Sequence, residues 1–239
     1  VASPRVLKPG EARISNFLLS LECAILVRST AVLDALRNKG AHQLIGDFSL
    51  NAANSLTAGT YLQLGLTRIT PTHDLNAAQI SALARELGGT SLEAVAYQHL
   101  PVFHTEHCVF CRFLSTGTSY RDCGRPCEQH RVALRDMSGR SHPVMADVGC
   151  RNTVFGAEAQ EASAHLNDWL GSGIHNFRLE FVHESAAQVH QVFYAFQSAL
   201  AGEISFDDLA RALKATAPEG TTSGSLFIPP DYLHLPILQ

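Results

Sequence analysis

The chain has 239 residues, of which 46% are hydrophobic and 17% are charged, and its formal net charge is −4. These values are typical of a globular protein with one large domain or two small ones. The mild negative charge excludes the overall basic surface of a non-specific nucleic-acid binder. Because no apolar run approaches the roughly 20 residues of a membrane span and the first residues lack a signal-peptide pattern, we predict a cytoplasmic protein without a membrane partner.

The N-terminal part of the chain alternates short apolar runs with helical patterns. Asn51 is expected to cap the second helix, and Gly65 is expected to follow its end. Strand–helix units of about 25 residues predict a parallel sheet covered by helices, either a barrel or a doubly wound sheet. The predicted strands are 24–28, 43–50, 67–70 and 92–97, and the predicted helices between them are 30–38, 52–64 and 76–87.

The alternation is interrupted after the fourth strand and resumes in the second half. Residues 132–136 and 142–147 predict an antiparallel hairpin. The sequence then predicts a helix over 157–170, a strand over 177–182, helices over 186–200 and 206–215, and an extended tail over 217–239. We therefore expect a partial TIM-barrel-like domain at 1–216 with a cysteine-rich insert at about 104–150, followed by the tail.

Five of the six cysteines lie in this insert, and only Cys23, expected to be a core residue, lies outside it. Thiolates gathered in a short window are suited to zinc or to an iron–sulfur cluster, and a reducing cytoplasm disfavours disulfides. A local strip of arginines around the cysteines leaves an RNA partner open. The clustered cysteines are Cys108, Cys111, Cys123, Cys127 and Cys150.

Polar residues near the cysteines and near predicted strand ends are candidates for catalysis. His104 flanks the first cysteine pair, and a histidine can act as an acid or base near neutral pH. Asp147 and Glu180 lie near strand ends, where barrels and open α/β sheets place their active sites. His107 and Glu106 are weaker candidates, since each is better explained as a surface residue.

The insert contains three motifs in a fixed order. They are His104-x-x-x-Cys108, Cys111-Arg112-Phe113-Leu114-Ser115 and Cys123-x-x-Pro126-Cys127. In this order they resemble the signature of the collagenase-like peptidase family U32, which reads His-Gly-x-x-Cys, Gly-x-Cys with Leu-Ser, and Cys-x-x-Pro-Cys. Residues 164–180 are similar to a second family stretch, and the resemblance covers about residues 24–200.

The chain departs from the family pattern at several positions. Only two residues separate the first two cysteines, Thr105 replaces a glycine, and Phe181-Val182 replace the usual Gly-Arg. The family's opening strands are absent, so the resemblance implies the second half of a barrel, with the other half in a missing segment or a partner subunit.

The resemblance implies one of two activities. Some family members are described as collagenases, which implies a peptide substrate and a zinc-assisted hydrolase. Others hold a 4Fe–4S cluster on four cysteines and act in hydroxylation of RNA bases or of a small aromatic ring. The chain shows no nucleophile–base spacing and no HExxH helix but a surplus of thiolates, which favours the second activity. A zinc-stabilised binding module without catalysis is a third reading.

The family pattern also implies the cluster ligands. It implies Cys108, Cys123 and Cys127, with Cys111 preferred over Cys150 as the fourth.

Overall fold

The computed structural model describes residues 1–8, 10–40 and 43–228. The chain divides into two compact units, the first formed by Val1–Val95, His165–Arg178 and the residues from Ser223 onward. The second unit is formed by Ala96–Ala164 and Leu179–Thr222. Within the described ranges, no helix is both long and apolar enough to cross a lipid bilayer.

Helices and short strands alternate along the described residues. The helices are α1 (Ala12–Leu19), α2 (Thr30–Leu36), α3 (Ser55–Gln63), α4 (Ala77–Leu87), α5 (Val109–Leu114), α6 (Leu166–Gly171), α7 (Ala186–Leu200) and α8 (Phe206–Thr216). The strands are β1 (Ile25–Val27), β2 (Leu44–Gly46), β3 (Arg68–Ile69), β4 (Glu93–Gln98), β5 (Pro101–Thr105), β6 (Val132–Arg135), β7 (Ser141–Asp147), β8 (Arg151–Phe155), β9 (Ala159–Glu161), β10 (Asn176–Leu179) and β11 (Thr221–Thr222).

The first unit is built on a parallel sheet of short, buried strands. β1 pairs in parallel with β2, and β2 pairs in parallel with β3. A parallel bridge from Ile69 to Leu92 continues this arrangement to the start of β4. Ile25, Val27 and Ile69 are fully buried, as expected for strands that helices cover. The predicted alternation of strands and helices in this part of the chain is confirmed.

The helix caps explain where the helices of this unit begin. Asn76 and Gln79 form a reciprocal capping box at the start of α4, which satisfies two backbone amides that the helix leaves unpaired. The predicted cap of α3 was wrong, because Asn54 caps that helix. Asn51 ends a short 3₁₀ turn with a φ of 56°, a left-handed conformation that asparagine tolerates.

Five charged side chains form a connected network in the first unit. The carboxylate of Asp47, 2% exposed, contacts Arg178 at 3.1 Å and Arg28 at 3.5 Å. Arg178 also contacts Glu93 at 3.1 Å, and Glu93 contacts Arg68 at 2.7 Å. Each buried carboxylate therefore has two guanidinium partners, which offsets the cost of removing its charge from water. Sequence periodicity gave no indication of this network.

The second unit is built on an antiparallel sheet with the order β5-β8-β7-β6. β6 and β7 form the predicted hairpin, with Val132 opposite Val144 and Arg135 opposite Ser141. β8 was not predicted, and it pairs with β7 on one side and β5 on the other. The cysteine-rich segments therefore connect strands of one sheet. In the same unit the end of β4 pairs with β9, and β9 pairs with β11.

The helix predicted over 157–170 was wrong in its first half. Ala159–Glu161 form β9, and only Leu166–Gly171 are α-helical. The backbone amide of Ala159 donates to Gly220, and that of Ala162 donates to Ala96, so both form long-range pairs. The small apolar residues of this stretch fit a helical pattern equally well, and pairing with distant strands decides between the two.

The architecture is a mixed α/β fold with helices and both parallel and antiparallel sheets. Within the described residues no sheet closes into a barrel, so the TIM-barrel-like expectation remains a prediction. Thr221–Thr222 of the predicted extended tail form β11, and residues 229–239 lie outside the described residues. Cys23 is exposed, so its predicted place in the core was wrong.

Candidate functional site

All five clustered cysteines line one cavity of the second unit, with a volume of about 800 Å³. Arg112, Arg125 and Tyr120 also lie at this cavity, together with the acidic side chains of Glu106, Asp147 and Glu128. None of the six cysteines of the chain forms a disulfide. The spatial grouping that the sequence clustering predicts is therefore present. We call this space the cysteine cavity.

The first cysteine pair lies at the start of a single short helix. Cys108 precedes α5, and its sulfur accepts a hydrogen bond from the backbone amide of Cys111 at 3.4 Å. The Cys111 thiol donates in turn to the carbonyl of Gly117, also at 3.4 Å. Burial, followed by the nearby Cys123 and Cys108 thiols, raises the pKa of Cys111. Cys111 is thus held in the thiol form, with a hydrogen bond that uses its proton.

A tight loop brings the second pair of cysteines next to the first. A Cβ added to Gly117 would lie 2.6 Å from the carbonyl of Asp122 and from the Cα of Cys123. The Asp122 carboxylate accepts hydrogen bonds from the backbone amides of Ser119 and Thr118, which lower its pKa. The loop therefore closes on Asp122, and only a glycine at position 117 permits the approach.

Two of the cysteine turns contain residues with positive φ. Gly124 and Arg125 have φ values of 68° and 52°, and Pro126 then starts a short 3₁₀ helix that contains Cys127. Gly149 and Cys150 have φ values of 82° and 60° in the turn between β7 and β8. A cysteine at positive φ is unfavourable, and such conformations are concentrated at functional sites.

Arg151 and Asn152 hold the cysteine segments in place, and sequence reasoning missed both. Arg151 is 2% exposed, and its guanidinium contacts the Glu106 carboxylate at 3.1 Å and the Val148 carbonyl at 3.1 Å. It therefore joins the segment before Cys108 to the turn that contains Cys150. The side-chain oxygen of the buried Asn152 accepts a hydrogen bond from the backbone amide of Val109 at 2.6 Å. Only the unpredicted strand β8 places these two side chains there.

The predicted catalytic residues lie in different surroundings. Asp147 lines the cysteine cavity, as do Glu106 and His107. His104 lies on β5, where its Nδ1 is 2.9 Å from the hydroxyl of Thr153, and it does not line the described cavity. The backbone amide of Glu180 donates a hydrogen bond to the backbone carbonyl of Tyr97 at 2.8 Å. Glu180, like His104, is not among the residues that line the cysteine cavity. Their catalytic roles stay predictions.

A second polar cluster in the same unit escaped the sequence reasoning entirely. The side chains of His99 and Glu184 are fully buried, and His99 Nε2 lies 2.8 Å from Glu184 Oε1. The Tyr97 hydroxyl donates to the same oxygen at 2.9 Å. Burial raises the pKa of the Glu184 carboxyl, but hydrogen bonds from His99 and from the Val182 amide outweigh it and lower the pKa to about 2. Isolated histidines far apart in sequence give no signal that could have found this cluster.

The family model for peptidase family U32 matches residues 16–234. The chain belongs to this family. The resemblance that the cysteine motifs carry is thereby confirmed, and the match extends well beyond the segment of those motifs into both units. None of the curated proteins matches the chain significantly.

Proposed function

We propose that this member of family U32 is an iron–sulfur protein that supports hydroxylation of an RNA base or a small aromatic substrate. The observation that carries the proposal is the convergence of five free thiols on one cavity. Thiolates are the ligands that iron–sulfur clusters use, and four of them suffice for a 4Fe–4S cluster.

The spacing of the thiols supports a cluster over a single zinc ion. Four thiolates on one zinc ion lie about 2.3 Å from the metal and therefore about 3.8 Å from one another. In the part of the chain that the structure describes, no three of the cysteine sulfurs lie mutually within 4.8 Å. A cluster is larger than one ion and attaches each thiolate to a separate iron atom. The lack of a tight triad of sulfurs is compatible with that larger group.

The surroundings of Cys150 favour it as the fourth ligand beside Cys108, Cys123 and Cys127. Partial burial, followed by these three thiols in turn, raises the pKa of Cys150, so all three lie near it. The Cys111 thiol, which lies near Cys108 and Cys123, already donates a hydrogen bond to the Gly117 carbonyl. The strained φ of 60° at Cys150 adds a second reason, because strain is retained where function requires the residue. This reverses the preference for Cys111 drawn from the family pattern.

The rim of the cavity offers groups that a flat substrate can contact. Arg112 and Arg125 supply positive charge, and the 60% exposed ring of Tyr120 supplies a stacking surface. Proteins bind unpaired RNA bases with this combination of arginine and aromatic side chains. When bound, a cluster supplies electron transfer or helps to activate an oxygen donor, and the protein positions the substrate against it.

Anaerobic purification with metal and sulfide analysis tests the proposal. We expect about four iron and four sulfide per chain after reconstitution, with a broad visible absorption. In Cys150→Ser the iron content should fall, and in the control Cys23→Ser it should not change, since Cys23 lies outside the second unit. A colourless protein without iron and sulfide would refute the proposal.

The same preparation tests the two alternatives. Stoichiometric zinc on the cysteines together with cleavage of gelatin that a chelator abolishes would favour the peptidase. Zinc without turnover, and unfolding on chelation, would favour a structural zinc module.

A further inference from the structure

The buried His99 ring has an acceptor at each nitrogen. Its Nδ1 lies 2.9 Å from the carbonyl oxygen of Gly156, and its Nε2 lies 2.8 Å from Glu184 Oε1. A carbonyl oxygen only accepts, so the proton on Nδ1 is fixed and Nε2 is directed at the carboxylate. Histidines that bind metals are typically oriented in this way, with the far nitrogen donating to a carbonyl.

The Glu184 carboxylate is fixed from three sides. Its Oε2 accepts hydrogen bonds from the backbone amides of Val182 at 2.9 Å and His183 at 3.1 Å. Its Oε1 accepts the Tyr97 hydroxyl, and burial followed by the charge of Glu184 raises the pKa of that phenol, so Tyr97 stays a donor. Carboxylates that bind metals are held by such second partners, which keep an oxygen aimed at the ion.

His183 completes the group with an imidazole nitrogen that has no partner. Its Nδ1 is buried and makes no hydrogen bond, and its ring centroid is 4.7 Å from that of His99. Burial, followed by the nearby His99, lowers the pKa of His183, which keeps the ring neutral. A neutral imidazole nitrogen that is buried without a partner is costly unless a ligand occupies it.

Three possible ligand atoms lie close together, and two of the three residues border a cavity. One donor atom from each of His99, His183 and Glu184 lies within 4.8 Å of the other two, and no other such triad of histidine, cysteine or acidic donors occurs in the described residues. His183 and Glu184 line a cavity of about 390 Å³. An ion at about 2.0–2.2 Å from each donor requires separations near 3.4 Å. His99 Nε2 and Glu184 Oε1, now 2.8 Å apart, therefore have to separate slightly when the ion replaces the proton between them.

We propose that His99 Nε2, His183 Nδ1 and Glu184 Oε1 form a binding site for one divalent first-row metal ion, separate from the cysteine cavity. Binding replaces the Nε2 proton of His99 by the metal and releases that proton to water. Two imidazoles and one carboxylate form the donor set of catalytic zinc sites and of mononuclear ferrous sites. Both kinds of site keep an open coordination position, and the adjoining cavity offers space for it.

Zinc loading with X-ray absorption at the zinc edge tests the site in the full-length protein, whatever the cysteines hold. The anaerobically purified chain is equilibrated with Zn²⁺, and excess metal is removed. We expect one zinc ion per chain with nitrogen and oxygen neighbours at about 2.0–2.1 Å. Any further zinc with sulfur neighbours at about 2.3 Å belongs to the cysteine cavity and is counted separately. Zinc surrounded only by sulfur, or no retained zinc, would overturn the proposal.

Two variants check the ligands. His183→Ala should weaken zinc binding at least about 10-fold and leave the circular dichroism spectrum unchanged, because the Nδ1 of His183 has no partner to lose. His190→Ala removes an exposed histidine of α7 and should retain zinc as the wild type does. Unchanged zinc binding in His183→Ala would contradict the assignment. If that variant fails to fold, the wild-type zinc spectrum decides alone. Iron and sulfide content should not change in either variant, so a failure here leaves the proposed cluster untouched.

Discussion

Replacement of Gly117 by alanine adds only one methyl group, but it should disrupt the cysteine cavity strongly. The new methyl group would lie 2.6 Å from the carbonyl of Asp122 and from the Cα of Cys123, whereas ordinary contact begins at 3.4 Å. Because these neighbours are backbone atoms, the loop has to move by about 0.8 Å. Overpacking of this kind costs about 1–3 kcal/mol of the free energy of unfolding. Cys123 moves with the loop, so the thiols no longer hold their spacing.

Urea denaturation and iron analysis measure both effects of Gly117→Ala. We expect a lower midpoint and less than half of the wild-type iron after anaerobic reconstitution. Gly171→Ala is the matched control, since nothing lies within 4 Å of a Cβ at that position of α6. A Gly117→Ala protein with unchanged stability and full iron content would refute both the close approach and its link to the cluster.

Three further predictions concern single side chains. Cys150→Asn should raise the free energy of unfolding by about 0.5–1 kcal/mol, because asparagine tolerates the left-handed turn, while iron binding falls. Asn152→Ala should lower the free energy of unfolding by about 1–3 kcal/mol, since the Val109 amide loses its hydrogen-bond acceptor. Thermal unfolding measures the stability of both variants. Burial lowers the pKa of His73 to about 4. The free energy of unfolding should therefore fall by about 3 kcal/mol as the pH decreases from about 6.5 to about 4. His73→Phe should abolish that loss, which urea titrations at several pH values measure.

Each of these predictions has an outcome that contradicts it. Cys150→Asn with reduced stability would show that the turn is not strained, and full iron content would return Cys111 to the ligand set. Asn152→Ala with wild-type stability would mean that water replaces the lost acceptor. For His73 the sign is decisive: the unfolded state binds the proton more readily, so a stability that is constant between pH 6.5 and 4 contradicts the buried neutral ring.

Local sequence signals identified most elements of the first unit and both long C-terminal helices. The sequence predicts α7 over the same residues, 186–200, that the structure shows, and the Ser185 side chain caps this helix. Asn76 likewise marks the start of α4. Caps and helical periods are interactions within about one turn, so a single stretch of sequence contains them in full. The first three strands of this unit are shorter than predicted, and all four occur in the predicted order.

Long-range pairing decided what local signals left open. Ala159–Glu161 are a strand only because β4 and β11 lie on either side, and β8 exists because β5 and β7 pair with it. The same pairing places Arg151 and Asn152 under the cysteine loops. No periodicity in residues 151–161 indicates partners that are distant in sequence.

For the candidate site, too, some features follow from the local sequence and others only from the tertiary structure. By itself the sequence determined that five thiols are clustered and that the motifs belong to family U32, because thiol chemistry and motif spacing are properties of a short segment. Only the tertiary structure decided that Cys150 lies among Cys108, Cys123 and Cys127, and that His99 meets His183 and Glu184. Those groups are separated by many residues and converge only when the strands of the second unit pair, since distance in space is set by that pairing.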